Sequence, residues 1–364
     1  MKYYMPVTVF DEPDCVRAHA KELARLGNKA LIVTGKHSAD ACGAFADTAA
    51  ALDSQNIPYC RYSGIEENPS VETVVKAAEY GRSEQADFVI GIGGGSPMDA
   101  AKAIAFLMKQ ETISAAPLYD ASLPAEALPV AAVPTTCGTG SEVTGVSVLT
   151  VHEKKTKQSI PHRIFPVLAL IDGKYLCSAS HAMIVSTSVD ALAHMVESRL
   201  HAKANDYSIA AVNAGLSLWK NIRPVLSGEA EPTDSDRTLL MRSAAFGGIA
   251  IAQTGTSIPH ALSYILTYDD GIAHGKACGY FLPAFLKEAP AELQKEILDL
   301  TGFNGIEEFS AFMHSLYPDL SPAKETLDRA YTTLSANAAR LASACFPVDP
   351  EMLHRIVYGT EKEG

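Results

Sequence analysis

Asp190 and His194 stand four residues apart in the alanine-rich stretch SVDALAHMVES, residues 188–198. On a helix, positions i and i+4 share one face, one turn apart. The pair therefore reads in two ways, as a surface Asp–His contact that supports the helix or as two arms of a metal site. Further on, IPHALSYILTYDDGIAHGKACG (258–279) carries His260 at the start of a helical stretch and His274 after a D-D-G turn. Singly, each of these histidines reads as a satisfied core residue. Together with Asp190 and His194 they make an Asp/His3 set. Neutral imidazoles with one carboxylate suit a divalent transition metal such as Fe2+ or Zn2+ rather than Mg2+ or Ca2+.

Two other stretches suit an anion. FVIGIGGGSPMDAAKAIA (88–105) reads as a strand, a glycine turn and a helix. Gly93, Gly94 and Gly95 remove side chains where a phosphate could approach the backbone. Ser96 is placed to cap the helix, Pro97 suits its first turn, and Asp99 would complete an S-x-x-D capping box. Free N–H groups at the positive end of a helix dipole favour an anion; the same glycines also fit a tight turn without a ligand. The stretch is neither G-x-G-x-x-G nor a P-loop. The second loop, VAAVPTTCGTGSEVT (130–144), also follows an apolar strand and gathers Thr135, Thr136, Thr139 and Ser141 around two glycines. It offers uncharged donors, which suit a pyrophosphate or nicotinamide better than a metal. Such loops at successive strand ends predict a ligand cleft there.

The elements that must position these residues divide the chain in two. Up to about residue 178, β-rich runs (KALIVTG, PYCRYSG, DFVIGI, LPVAAVP) alternate with helical patterns at 43–55 and 71–83, and two further β-like runs follow at Val146–Val151 and Val167–Ile171. This alternation predicts a parallel sheet covered by helices. Beyond it, 184–202, 206–226, 236–252 and 321–345 all read as helices. The expected organisation is an α/β domain over 1–178 and an α-helical, metal-binding domain over 179–364.

Composition narrows the class. The chain has 364 residues, 47% hydrophobic and 20% charged, with a net charge of -12. That charge argues against a nucleic-acid partner. No apolar stretch is long enough for a membrane span, and MKYYMPVTVF lacks the apolar region of a signal peptide. Seven scattered cysteines, none in a C-x-x-C, indicate neither a disulfide framework nor a cysteine zinc site. A cytoplasmic enzyme, acting alone or as a homodimer on a small molecule, is the expectation.

GGGSPMDAAKA, PTTCGTGSEVT, D-A-L-A-H at 190–194 and His260-x13-His274 occur in that order. Jointly they resemble the iron-containing (group III) alcohol dehydrogenase family, from about Tyr4 into the helical domain, with the tail beyond residue 290 least distinctive. The resemblance implies a dinucleotide-binding α/β domain, a helical domain, and an active site in the cleft between them, a plan shared with dehydroquinate synthase. It implies metal ligands at Asp190, His194, His260 and His274, and cofactor contacts at Gly93, Gly94, Gly95, Ser96 and Asp99. The second loop would face the nicotinamide through Thr135, Thr136, Thr139 and Ser141. Asn68 and one lysine among Lys154, Lys155 and Lys157, of which Lys157 is preferred, would add contacts.

Three departures from the family pattern stand out. A histidine common four residues after the third ligand, and associated with proton relay, is here Tyr264, leaving His274 and Tyr264 as the candidate catalytic pair. An aspartate that in the family can follow the first strand is here Gly35, followed by Lys36, His37 and Ser38. That favours NADP(H), with NAD(H) as the alternative, because no carboxylate repels a 2′-phosphate. The usual D-P after the last strand is Asp172-Gly173, a change in the turn only. The implied reaction is metal-dependent hydride exchange between a nicotinamide cofactor and a small primary alcohol, diol or aldehyde. A lyase of the dehydroquinate synthase kind, or a glycerol dehydrogenase-like zinc enzyme, are the rivals. Apolar surroundings of the histidines (IAQTGTSI, ALSYIL, ACGYFLP) favour a weakly polar substrate over a phosphorylated one.

Overall fold

The computed structural model describes residues 3–359. The described chain separates into two compact units, one of Met5–Ala179 and one that begins at Ser180 and includes Tyr3 and Tyr4. The outermost residues of the two expected domains, 1–2 and 360–364, lie outside the described range.

The first unit holds a six-stranded, wholly parallel sheet. Its strands are β1 (Thr8–Asp11), β2 (Ala30–Thr34), β3 (Tyr59–Tyr62), β4 (Phe88–Gly93), β5 (Val130–Pro134) and β8 (Leu168–Ile171), in the order β1-β8-β5-β4-β2-β3. Alternate residues serve opposite faces. Leu31, Val33 and Val89 pack with helices α2 (Val71–Ser83) and α3 (Gly95–Lys109). Ala30, Ile32, Phe88, Ile90 and Ile92 pack on the other side with Leu52 of α1 (Ala44–Ser54). After β3 the chain returns to the opposite flank of β2, so strand order reverses between β2 and β4. The carboxyl ends at such a reversal are where open α/β sheets bind ligands. Gly35 and the Gly93–Ser96 turn both lie there.

The run at 146–151 does not join the sheet. Its strand, β6 (Val148–Val151), forms a separate antiparallel hairpin with β7 (Thr156–Ser159). β1 and β7 carried no clear sequence signal, being four residues long and incompletely buried.

The second unit is helical. Its longer elements include α4 (His181–Arg199), α5 (Asp206–Trp219), α6 (Asp234–Thr254), α7 (Ile258–Asp269) and α8 (His274–Lys287). Ser180 caps α4, its hydroxyl accepting from Met183 N, so this helix starts three residues before its expected position. Thr233 and Asp236 form a reciprocal capping box that starts α6 at 234. The expected single helix over 206–226 is broken: a 3-10 turn occupies Lys220–Ile222, and Pro224 cannot continue an α-helical hydrogen-bond ladder. The expected helix over 321–345 is likewise two, Lys324–Ser335 and Ala338–Leu341, the second capped by Asn337. No helix among the described residues is long and apolar enough to cross a membrane. From Ile184 to Ser198, α4 is buried at all but one position (Thr187), and it packs against α5, α6 and α8. Polar groups on such a helix need internal partners.

Candidate metal centre and dinucleotide turn

Asp190 and His194 sit one turn apart on α4, His260 in the first turn of α7, and His274 at the start of α8. Asp190 Oδ1 lies 3.8 Å from His194 Nε2, 3.3 Å from His260 Nε2 and 3.6 Å from His274 Nε2. Ligands about 2.0–2.3 Å from one tetrahedral ion would stand about 3.3–3.8 Å from each other. The His260 ring stacks on His194, centroids 4.5 Å apart, and meets His274 edge-on at 5.3 Å. Asp190 Oδ1 and His260 Nε2 are buried and neither makes a hydrogen bond. Leaving such groups unpaired costs about 1–3 kcal/mol each. A divalent cation would satisfy both, and one carboxylate with three imidazoles fits the transition metals expected. Burial pushes the Asp190 carboxyl up, but His194, His274 and His260 outweigh it and hold the group well below the usual carboxylate range.

Glu197, which sequence reasoning missed, lies three residues past His194 and is fully buried. His260 Nδ1 donates to its Oε1 at 2.5 Å, and Ser257 N donates to its Oε2. A carboxylate on Nδ1 fixes the tautomer that leaves the Nε2 lone pair for a cation. Tyr264 is half-buried, its ring stacked on His274 at 5.5 Å. The helices approach closely because α8 is glycine-notched. A Cβ on Gly275 would stand 1.8 Å from Ser186 O of α4, and one on Gly279 would stand 2.7 Å from Val189 Cγ1.

In the first unit, α3 begins at Gly95 with extended Gly94 as its cap and no side-chain capping bond. The expected Ser96–Asp99 capping box does not form. Ser96 lies inside the first turn and its Oγ accepts from Asn68 N at 3.0 Å. Asp99 instead holds the second loop: Ser141 Oγ donates to Asp99 Oδ1 at 2.5 Å and Val148 N to Oδ2 at 2.9 Å. Ser141 also accepts from Lys102 Nζ at 2.6 Å, and Lys102 donates to Val146 O at 2.8 Å. Lys102 is wholly buried, and burial pulls its pKa down. Asp99 and Ser141 therefore spend their polar atoms on each other and on Lys102, which the sequence reading missed because its i+3 spacing from Asp99 is common on solvated helices.

The glycine turn packs directly against the second loop. A Cβ at Gly94 or Gly95 would press on Thr136 Oγ1 at 3.0 Å or Thr139 Cγ2 at 2.7 Å. Thr136 and Thr139 are half-buried, whereas Thr135 is buried with an unpartnered Oγ1. Asn68 adopts a left-handed conformation, and its carbonyl accepts from Thr150 Oγ1 at 2.8 Å. Lys157 stands opposite Thr150 in the hairpin register; Lys154 and Lys155 are exposed in the turn before it. At the end of β2, Gly35 is half-buried and Lys36 and Ser38 are exposed. Arg61, unforeseen, donates to both carboxylate oxygens of Asp40 and to Thr34 Oγ1 nearby. Asp172 accepts from Lys174 N and caps a 3-10 turn, so Gly173 alters only that turn.

A parallel sheet with a glycine turn at its reversal point, joined in sequence to a helical unit bearing a buried Asp/His cluster, describes a two-domain dehydrogenase. The chain belongs to the iron-containing alcohol dehydrogenase family: residues 6–173 match the model "Iron-containing alcohol dehydrogenase" and residues 184–311 match "Fe-containing alcohol dehydrogenase family, C-terminal". It is 33% identical over 263 residues to the long-chain primary alcohol dehydrogenase of Thermoanaerobacter ethanolicus, a match covering 71% of this chain and 66% of that one. The crystal structure of an iron-containing alcohol dehydrogenase from Thermotoga maritima superposes with TM-score 0.89 at 36% identity, covering 98% of both chains. Sulfoacetaldehyde reductase from Bifidobacterium kashiwanohense, solved with NAD+, gives 0.85 at 25% identity over 99% of both.

Proposed function

We propose that this chain reversibly oxidises small primary alcohols or diols to aldehydes, with Asp190, His194, His260 and His274 holding Fe2+ or, as an alternative, Zn2+. The observation that carries this reading is the gathering of three imidazole nitrogens within 3.3–3.8 Å of a buried carboxylate oxygen that makes no hydrogen bond. When bound, the metal would act as a Lewis acid toward the substrate oxygen and the nicotinamide would carry the hydride. The chain's own residues bind and orient. Asp190 supplies the negative charge, Glu197 holds His260 in its ligating tautomer, and Tyr264 braces the His274 ring. Gly93, Gly94, Gly95 and Ser96 would take the pyrophosphate at the α3 terminus, with Thr136, Thr139, Asn68 and Lys157 around it. Asp99 and Ser141 shape that loop from beneath. The relatives' names (a long-chain primary alcohol, 1,3-propanediol, sulfoacetaldehyde) share a terminal carbinol or aldehyde carbon, which supports the substrate class.

The test is aldehyde-dependent loss of reduced-nicotinamide absorbance by the metal-loaded protein. His260→Ala should abolish it together with bound metal while the circular dichroism spectrum persists. Full metal content and full turnover in that variant would remove the assignment. For the cofactor we favour NADPH over NADH. A Cβ on Gly35 meets only Ile65 O, at 3.5 Å, so the position is open, and Lys36 beside it is exposed. Gly35→Asp should lower kcat/KM for NADPH at least about tenfold and spare NADH, by placing a carboxylate against the 2′-phosphate. An unchanged ratio would mean that Gly35 does not set the choice.

A further inference from the structure

We propose that Cys278 is a further donor to this metal centre, its sulfur binding the same ion as Asp190, His260 and His274; the inference rests on the metal-site reading above. Among the described residues, one ligand atom each from Asp190, His260, His274 and Cys278 lie within 4.8 Å of one another. The placement follows from helix periodicity. Cys278 is four residues after His274 on α8, just as His194 is four residues after Asp190 on α4, so each helix offers an i, i+4 pair of donors. Gly275 and Gly279, each next to one of the α8 donors, let α8 approach α4 closely.

A buried free cysteine usually acts as a small apolar group. Two observations favour a ligand here. The sulfur faces polar atoms rather than apolar ones, with long contacts to both ring nitrogens of His274, 3.9 Å to Nε2 and 4.0 Å to Nδ1. The same point is faced by Asp190 Oδ1 and His260 Nε2, both buried and without hydrogen-bond partners. A thiolate and an imidazole on one tetrahedral ion stand about 3.5 Å apart, so bringing Cys278 Sγ and His274 Nε2 to that spacing from 3.9 Å needs a shift of a few tenths of an ångström. On binding, the S–H bond is replaced by an S–metal bond and the proton leaves to solvent. A donor set of one carboxylate, imidazoles and one thiolate is softer than the Asp/His3 set alone. It favours Zn2+ and Co2+ over Mn2+ and Mg2+.

The experiment loads metal-free full-length protein with Co2+ and records the near-ultraviolet thiolate-to-cobalt charge-transfer band beside the visible d–d bands. Wild type should show both, and Cys278→Ser should keep the d–d bands, lose the charge-transfer band and bind Zn2+ at least about tenfold more weakly. Visible bands without charge transfer in wild type would overturn the role of Cys278 while leaving the metal site standing. A charge-transfer band that survives Cys278→Ser would overturn it too. Absence of any stoichiometric Co2+ binding in wild type would instead sink the metal reading. Should Cys278→Ser not fold, X-ray absorption of Zn2+-loaded wild type decides. One sulfur scatterer at about 2.3 Å supports the proposal, and a shell of nitrogen and oxygen only refutes it.

Discussion

Both carboxylate oxygens of Glu197 are occupied, one by His260 Nδ1 and one by Ser257 N, at a position with no solvent exposure. Glu197→Gln keeps the shape and removes the charge. Metal affinity should fall about 10- to 100-fold, as for other groups that orient a ligating histidine, and chelator competition would measure it. An unchanged affinity would show that Glu197 merely fills the core. Tyr264 offers a contrasting case, because its face-on packing against His274 is a property of the ring. Tyr264→Phe should retain turnover within about tenfold; a loss of about a thousandfold would make the hydroxyl itself the proton conduit. Asp190 and His194 were legible as an i, i+4 pair in an apolar run, but that spacing fits a plain helix contact as well, and it was the family resemblance that joined His260 and His274 to them as one proposed ligand set. Glu197 lies on the same stripe, but in MVESRL it reads as a solvated glutamate near a helix end. Cys278 reads as an ordinary core residue. Only the packing of α7 and α8 on α4 distinguishes them.

At the scale of elements, the separation of α4 and α8 decides whether the donors meet. Gly275→Ala would put a methyl 1.8 Å from Ser186 O, and backbone cannot step aside as a side-chain tip can. The expected result is a destabilisation of at least about 1–3 kcal/mol with a matching loss of metal affinity, read by thermal denaturation and metal titration. A variant with wild-type affinity would mean that α8 tolerates displacement. The buried parallel strands were legible from their unbroken apolar runs, and the glycine turn from its composition. What Asp99 does was not. A capping box and a tie to a distant loop ask for the same residue types, and the choice is made by where β6 runs. β1 and β7 are short and half-solvated, so pairing rather than hydrophobicity makes them strands. The helix breaks near 220 and 337 arise from local turn and capping geometry that periodicity does not register.

At the scale of the whole molecule, one buried acid should leave its mark on stability. Glu142, in the 3-10 turn within the second loop, is pushed from 4.5 up to about 7 by burial, against weaker pulls from a backbone hydrogen bond and from Lys102. Between those values the folded chain holds a proton that the unfolded chain has released. Its contribution is therefore full below about pH 4.5, declines as pH rises to about 7 and is flat above, a span of roughly 3 kcal/mol at most. Glu142→Gln should flatten the fall in Tm between about pH 5 and 7.5 and should not lower Tm near pH 8. A variant that keeps the wild-type slope would assign the pH dependence to other groups.

Asp190, His194 and Glu197 fall at i, i+4 and i+7 along α4. Each residue inserted or removed between them would swing everything beyond it by about 100° around the helix axis. Exchanges among the intervening residues leave that stripe intact, whereas a change of length by a single residue sends one partner to the opposite side. This stretch should therefore accept small apolar exchanges over evolutionary time while its residue count stays frozen. A library of single-residue insertions and deletions across 190–197 should yield no metal-binding clone, even where replacement of buried Ala191 or Ala193 by Gly or Ser yields some.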